Sequence, residues 1–394
     1  MVSGLTSPSK AAKHLNMPPP PSLRCWAEIN LSHLAFNLRR FRSLVGRNCD
    51  VIGVVKADAY GHGLFAIAQR LAREGVKTLA VANITEAAIA SRAAPRADIL
   101  LLSPLLPAEI SQLQTRWIPT VSSLTEFYAL KRSAQRSRTK LRVHVKLDTG
   151  MGRLGGFSDE ILKVLQLIAE SRWITATGLY SHFASADVDR AETLRQVGRL
   201  RAFCRHGRAK GITIPPLHFQ NSAGAIHVDA RGLATSIRPG LSLYGVPTPA
   251  AAWRRCFGPN ALKPVLAWKT RVALVRNMPG GSTISYANTF RASKPMRVAV
   301  LAAGYADGLS RKLSNRGEVL IHGKRCKILG RVTMDMTMVD VTRVPRAKWN
   351  DEAVLIGKGA GDEITAHEMA KWSETNAYEI LCNISRRVTR STIG

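Results

Sequence analysis

From Ile29 onward the chain alternates short apolar runs with amphipathic segments. Eight of the apolar runs fit buried strands: 51–57, 78–83, 98–103, 119–122, 141–148, 176–183, 217–222 and 235–240. Segments 64–75, 158–171 and 192–210 between them carry helical spacing. In 158–171, Ser158 and Glu160 stand at the start, and apolar residues at 161, 162, 164, 165 and 168 recur with a period near 3.6. Strands and helices in strict alternation predict an α/β fold, a (β/α)8 barrel. The alternative is an open doubly wound sheet, whose G-x-G-x-x-G turn after the first strand is missing. After Pro259 the texture changes. Strand-like runs at 264–277, 297–303, 318–321, 326–332 and 337–341 are separated by turns such as PGG (279–281) and HGK (322–324), predicting a mainly β second domain. The expected organisation is a flexible, proline-rich tail over 1–22, the barrel over 23–258 and the mainly β domain over 259–394.

Composition narrows the class. Of 394 residues, 45% are hydrophobic and 21% charged, as in ordinary soluble domains. No run approaches the roughly 18 apolar residues of a membrane helix, so no membrane span is expected. Lysine and arginine total 57 against 27 acidic residues, a formal charge of +30. That excess raises polyanion binding as a possibility, yet no nucleic-acid recognition motif accompanies it, so no specific nucleic acid is expected. The tail lacks the apolar core of a secretory signal, and the six cysteines form no C-x-x-C pair. Reduced thiols and a cytoplasmic location follow. The histidines show no ligand spacing, so no metal is expected.

Candidate chemistry gathers at strand ends, where a barrel of this type carries its active site. In VVKADAYGHG (54–63), Lys56 ends an apolar strand before a Gly-rich turn. A lysine there suits Schiff-base chemistry, since burial frees its amine as a nucleophile. In VKLDTGMGRLG (145–155), Lys146 lies on a strand and Arg153 follows a glycine turn, placed to clamp a carboxylate. LYSHFASAD (179–187) brings His182 to a strand end. HFQNSAG (218–224) and IRPGLSLYG (237–245) offer Ser222, Gly240 and Leu241 as phosphate-binding donors, and Arg238 as a cation in need of an acceptor. In the second domain Tyr286, Tyr305 and Tyr378 are candidate acid/base or phosphate-binding phenols.

These motifs, in this order and from about Cys25 to Val388, make the chain resemble alanine racemase, a pyridoxal-phosphate (PLP) enzyme of fold type III. VVKADAYGHG resembles that family's PLP-lysine signature; VKLDTGMGRLG and SYANTF (285–290) add independent matches. The resemblance implies PLP as cofactor and interconversion of L- and D-alanine by two bases. This would supply D-alanine for peptidoglycan or serve alanine catabolism. Lys56 would be the Schiff-base lysine. Tyr286, from the other subunit of a head-to-tail homodimer, would be the second base. Arg238 would meet the pyridine nitrogen, and Tyr60, Ser222, Gly240, Leu241 and Tyr378 would hold the phosphate. His182 would stack near the ring and orient the partner's tyrosine, and Asn221 would support the cofactor site. Arg153 and the backbone of Met334 would meet the substrate carboxylate. Lys146, at a position often carbamylated, would brace Arg153, and Tyr305 would line the substrate's way in. Two sites depart from the family pattern: GYADGLSR (304–311) lacks an aromatic-Pro pair, and Thr389 stands where proline is usual.

Three rivals compete with this reading. Another fold type III enzyme, such as a broader-specificity racemase or a decarboxylase, is the main alternative; a decarboxylase would offer a cysteine acid in place of SYANTF. A PLP-binding barrel without catalysis would lack the second domain. A nucleic-acid binder rests on charge alone.

Overall fold

The computed structural model describes residues 23–228 and 233–394. The proline-rich tail expected over 1–22 lies outside the described residues. The chain divides into two compact units, one of residues Leu34–Lys263 and one combining the chain up to His33 with Pro264–Gly394.

Among the described residues β1 (Cys25–Asn30) comes first, and the barrel follows. The barrel strands are β2 (Asp50–Val51), β3 (Gly53–Val54), β4 (Thr78–Val81), β5 (Asp98–Leu101), β6 (Trp117–Val121), β7 (Leu141–Lys146), β8 (Ile174–Tyr180), β9 (Leu217–His218) and β10 (Ser236–Ile237). All pair in parallel, in the order β2-β10-β9-β8-β7-β6-β5-β4-β3. β2 and β3 are halves of one run interrupted at Ile52, so their separate pairings, with β10 and β4, close eight strand positions into a ring. Each of the eight runs expected from the sequence supplies one of these positions. The expected helices occur at Leu64–Arg73, Ser158–Ala169 and Arg190–Ala209.

The alternation along LRVHVK shows how the barrel is filled. Leu141, Val143 and Val145 join the apolar layer beneath the outer helices, against Phe127, Ile161, Leu165 and Leu200. Successive strand residues face opposite ways, so Arg142, His144 and Lys146 face the interior. There the Lys146 ammonium lies 4.6 Å from the Tyr180 ring centre. Opposite His144 the ladder is irregular: Val143 pairs with Ala176 but His144 with Gly178. A Cβ on Gly178 would lie 2.7 Å from the imidazole, so glycine makes room for this ring.

The second unit is mainly β, as expected. Its spine is the 13-residue strand β11 (Leu266–Met278). β11 pairs antiparallel with β1, with Glu352–Lys358 and with Met296–Leu301. The expected turn at HGK is a tight hairpin between Glu318–Ile321 and Lys324–Lys327, with His322 and Gly323 both at positive φ. One boundary differs from the sequence reading. Residues 25–33, expected in the barrel, belong to this unit, because β1 pairs with β11 and with Thr389–Ile393. Those partners lie more than 200 residues downstream, so local pattern carries no sign of the pairing. The strand Glu352–Lys358 was also not anticipated.

Gly178→Ala is expected to cost about 1–3 kcal/mol by overpacking the His144 ring. A thermal-unfolding midpoint several degrees lower would confirm this; an unchanged midpoint would show that the ring has room to move.

Candidate active site

Ten of the residues singled out from the sequence lie in the barrel unit, at strand ends or in the turns that follow them. Lys56 comes directly after β3 and Val55. The chain then makes a left-handed turn: Ala57, Asp58, Ala59 and Tyr60 have φ of 53°, 51°, 55° and 54°. Left-handed helix costs roughly 1–2 kcal/mol per L-residue, so such a run persists only when its surroundings hold it. Here Leu64 N–H donates to Asp58 Oδ1 (2.7 Å) and Ala57 N–H to Glu86 Oε1 (2.7 Å). Below the turn, the Tyr244 ring packs on Tyr60 and His62, and its hydroxyl donates to the Val54 carbonyl at 2.8 Å.

The turn brings Tyr60 to the Gly240 segment. A Cβ on Gly240 would stand 2.6 Å from Tyr60 Oη, so a side chain there would fill the space beside the phenol. Gly240 N–H donates to Ser222 Oγ at 2.9 Å. Asn221 caps the short helix Ser222–His227 by accepting from Gly224 N–H. Leu241 opens the 3-10 turn Leu241–Tyr244. A phenol, a hydroxyl and a glycine backbone meeting at late barrel strands form a cradle of phosphate-binding type.

Arg238 is buried at the centre. Its Nη1 donates to His218 Nδ1 (2.6 Å) and to the His218 carbonyl (2.7 Å). Its Nη2 donates to the Ser181 carbonyl (2.6 Å) and approaches His182 Nδ1 (3.2 Å). The guanidinium stands 5.0 Å from the Tyr180 ring centre. Arginine only donates, so His218 Nδ1 accepts and its proton sits on Nε2, directed at His144 Nδ1 2.8 Å away. Both rings are neutral: burial, then Arg238, holds His218 well below the ordinary imidazole range and His144 at about 3. His182 is pushed the same way by burial, Arg238, Lys146, Arg153 and Lys56. Tyr180 stacks on His218, and burial raises its phenol to about 12.

Lys146 is buried in the same positive surroundings. Burial, then Arg238 and Arg153, lowers its ammonium to about 7, into the range where a neutral amine is accessible. Arg153 follows a loop gathered around one carboxylate. Asp148 accepts from the N–H groups of Gly150, Met151 and Gly152 at 2.7, 2.8 and 2.7 Å. Thr149 in that loop bonds Ser181 and Gln196, and Gln196 also bonds the His182 carbonyl.

The other four candidates lie in the second unit. Tyr286 is 70% exposed, Met334 53%, Tyr305 44% and Tyr378 42%. Three of them sit on loops joined by hydrogen bonds. Ser285 Oγ donates to the Arg331 carbonyl, Tyr305 N–H to Thr333 and Ala306 N–H to Met334. Sequence reasoning missed His218, Tyr180, His144, Asp148 and Glu86. The first three were signalled by polar residues at interior positions of otherwise apolar strands. The two acids had no signal, since they work on backbone donors.

The family model for the alanine racemase N-terminal domain matches residues 29–248, and that for the C-terminal domain matches residues 265–392. An alanine racemase of Methylacidiphilum infernorum is 40% identical over 373 residues, covering 94% of this chain and 93% of its own length. Among solved structures, an alanine racemase of Clostridium difficile 630 superposes with a TM-score of 0.87 at 30% identity, covering 94% of this chain and 96% of its own. One from Bartonella henselae with covalently bound pyridoxal phosphate has a TM-score of 0.83 at 26% identity, covering 94% of this chain and 100% of its own. With both domain models in order over a barrel and a β unit of the expected kind, the chain belongs to the alanine racemase family.

Proposed function

We propose that this protein interconverts L- and D-alanine with PLP as cofactor, Lys56 and Tyr286 serving as the two bases. The observation that carries the reading is a buried cation, Arg238, whose protein acceptors are neutral, beside a cradle that a single Cβ at Gly240 would fill. These residues fit the cofactor at three points. Tyr60, Ser222, Gly240 and Leu241 suit its phosphate, Lys56 its aldehyde carbon, and Arg238 its ring nitrogen. No carboxylate is among the buried residues of the barrel unit, of those described, that could protonate that nitrogen. When bound, PLP supplies the electron sink that makes the substrate α-proton acidic.

The chain's own groups then handle the proton. Lys56 Nζ removes or returns it on one face of Cα, and Tyr286 Oη of a partner subunit does so on the other. Bases on opposite faces invert the centre without turning the substrate. Arg238 can donate to the ring nitrogen but cannot protonate it at neutral pH. Neutral His218 and two carbonyls hold it in that role. Arg153, on the Asp148-gathered loop, takes the substrate carboxylate with the partner's Met334 backbone. Lys146, neutral or carbamylated, braces Arg153, and His182 orients the partner's Tyr286. The exposure of Tyr286, Met334 and Tyr305 on connected loops supports a homodimer in which this face meets another copy. Tyr378 as a phosphate contact and Tyr305 at the substrate's way in follow from the resemblance.

Three outcomes are expected. Borohydride reduction of the PLP-loaded protein fixes the cofactor on Lys56 in peptide mapping, and Lys56→Ala loses racemisation in both directions; a label on another lysine would refute the assignment. Tyr286→Phe slows exchange of the L α-proton more than the D α-proton, and equal losses would contradict the division between the bases. Gly240→Ala, which crowds Tyr60, weakens PLP binding about tenfold or more, roughly 1.4 kcal/mol; parent affinity in a cofactor titration would count against the cradle.

A further inference from the structure

The left-handed turn after Lys56 needs an anchor, and one carboxylate outside the turn supplies it. Glu86 stands in the first turn of the helix Ile84–Ala93, which follows β4. Its Oε1 accepts from Ala57 N–H at 2.7 Å and its Oε2 from Ala82 N–H at 2.8 Å. Ala57 is the residue after Lys56, and Ala82 is the residue after β4. The last ladder hydrogen bond between these neighbouring strands runs from Val55 N–H to the Ala80 carbonyl. Beyond it the two chains diverge, one into the left-handed turn and one toward its helix. Glu86 bridges them there, with one oxygen on each backbone donor.

We propose that Glu86 is a positioning residue for Lys56, its carboxylate fixing the Lys56–Ala57 peptide and with it the direction in which the lysine leaves the strand end. This rests on the reading of Lys56 as the PLP lysine. Two acceptor oxygens are needed, and a carboxylate has them. A glutamine has one, and its amide would turn a donor against the other N–H. Helix capping is a separate duty carried by Asn83, whose Oδ1 accepts from Glu86 N–H at 2.9 Å. The two contributions can therefore be separated by mutation.

The test compares Glu86→Gln with Asn83→Ala in the PLP-loaded protein. In Glu86→Gln, kcat should fall about ten- to a hundredfold in both directions, the loss typical of a reacting group displaced by a fraction of an ångström to an ångström, with KM nearly unchanged. The pH midpoint of the PLP absorbance change should move. In cofactor-free protein, amide hydrogen exchange over 56–60 should quicken. Asn83→Ala should lower the unfolding midpoint while leaving kcat, the absorbance titration and that exchange as in the parent. Should Glu86→Gln fail to fold, Glu86→Asp carries the same expectation, since it keeps the charge but shortens the reach. The proposal is overturned if either Glu86 variant keeps the parent kcat and absorbance titration, or if Asn83→Ala reproduces their changes. A parent protein that forms no PLP bond at Lys56 would instead overturn the functional reading beneath it.

Discussion

A fully buried guanidinium with neutral acceptors is the constraint around which the barrel interior is arranged. Arg238 gives its hydrogen bonds to two carbonyls and to imidazole nitrogens. Taking such a charge out of water is expensive unless it is paired. The protein meets part of that cost with carbonyl dipoles and the Tyr180 face, and leaves the rest of the demand to an anionic or electron-rich ligand. Burial first, and this charge second, hold His218 and His144 below the ordinary imidazole range and bring Lys146 down to about 7.

The acids near the strand ends are spent on backbone donors. Glu86 and Asp148 accept from backbone N–H groups of turns that carry a candidate residue, and Asp58, inside one such turn, accepts from Leu64 N–H at the start of the next helix. Carboxylates engaged with backbone donors in this way shape the loops.

Much of this was legible in the sequence because the signals are local. Eight apolar runs marked the eight barrel positions, and Lys56, Lys146, Arg153 and Arg238 stand beside glycine turns at strand ends. What stayed hidden depends on contacts remote in sequence. Residues 25–33 fall inside the expected barrel span until the partners of β1, near 270 and 390, are known. His218 gains meaning only beside Arg238, twenty residues on, and His144 only beside His218. Glu86 looks like any acid in the first turn of a helix, and its reach to Ala57 follows from how neighbouring strands end.

The most direct test is to incubate the purified protein and PLP with L-alanine in deuterium oxide, following optical rotation and loss of the α-proton together. Racemisation by two bases predicts rotation decaying to zero while deuterium enters at Cα. A visible PLP–lysine absorbance band with unchanged rotation and a retained α-proton would contradict it.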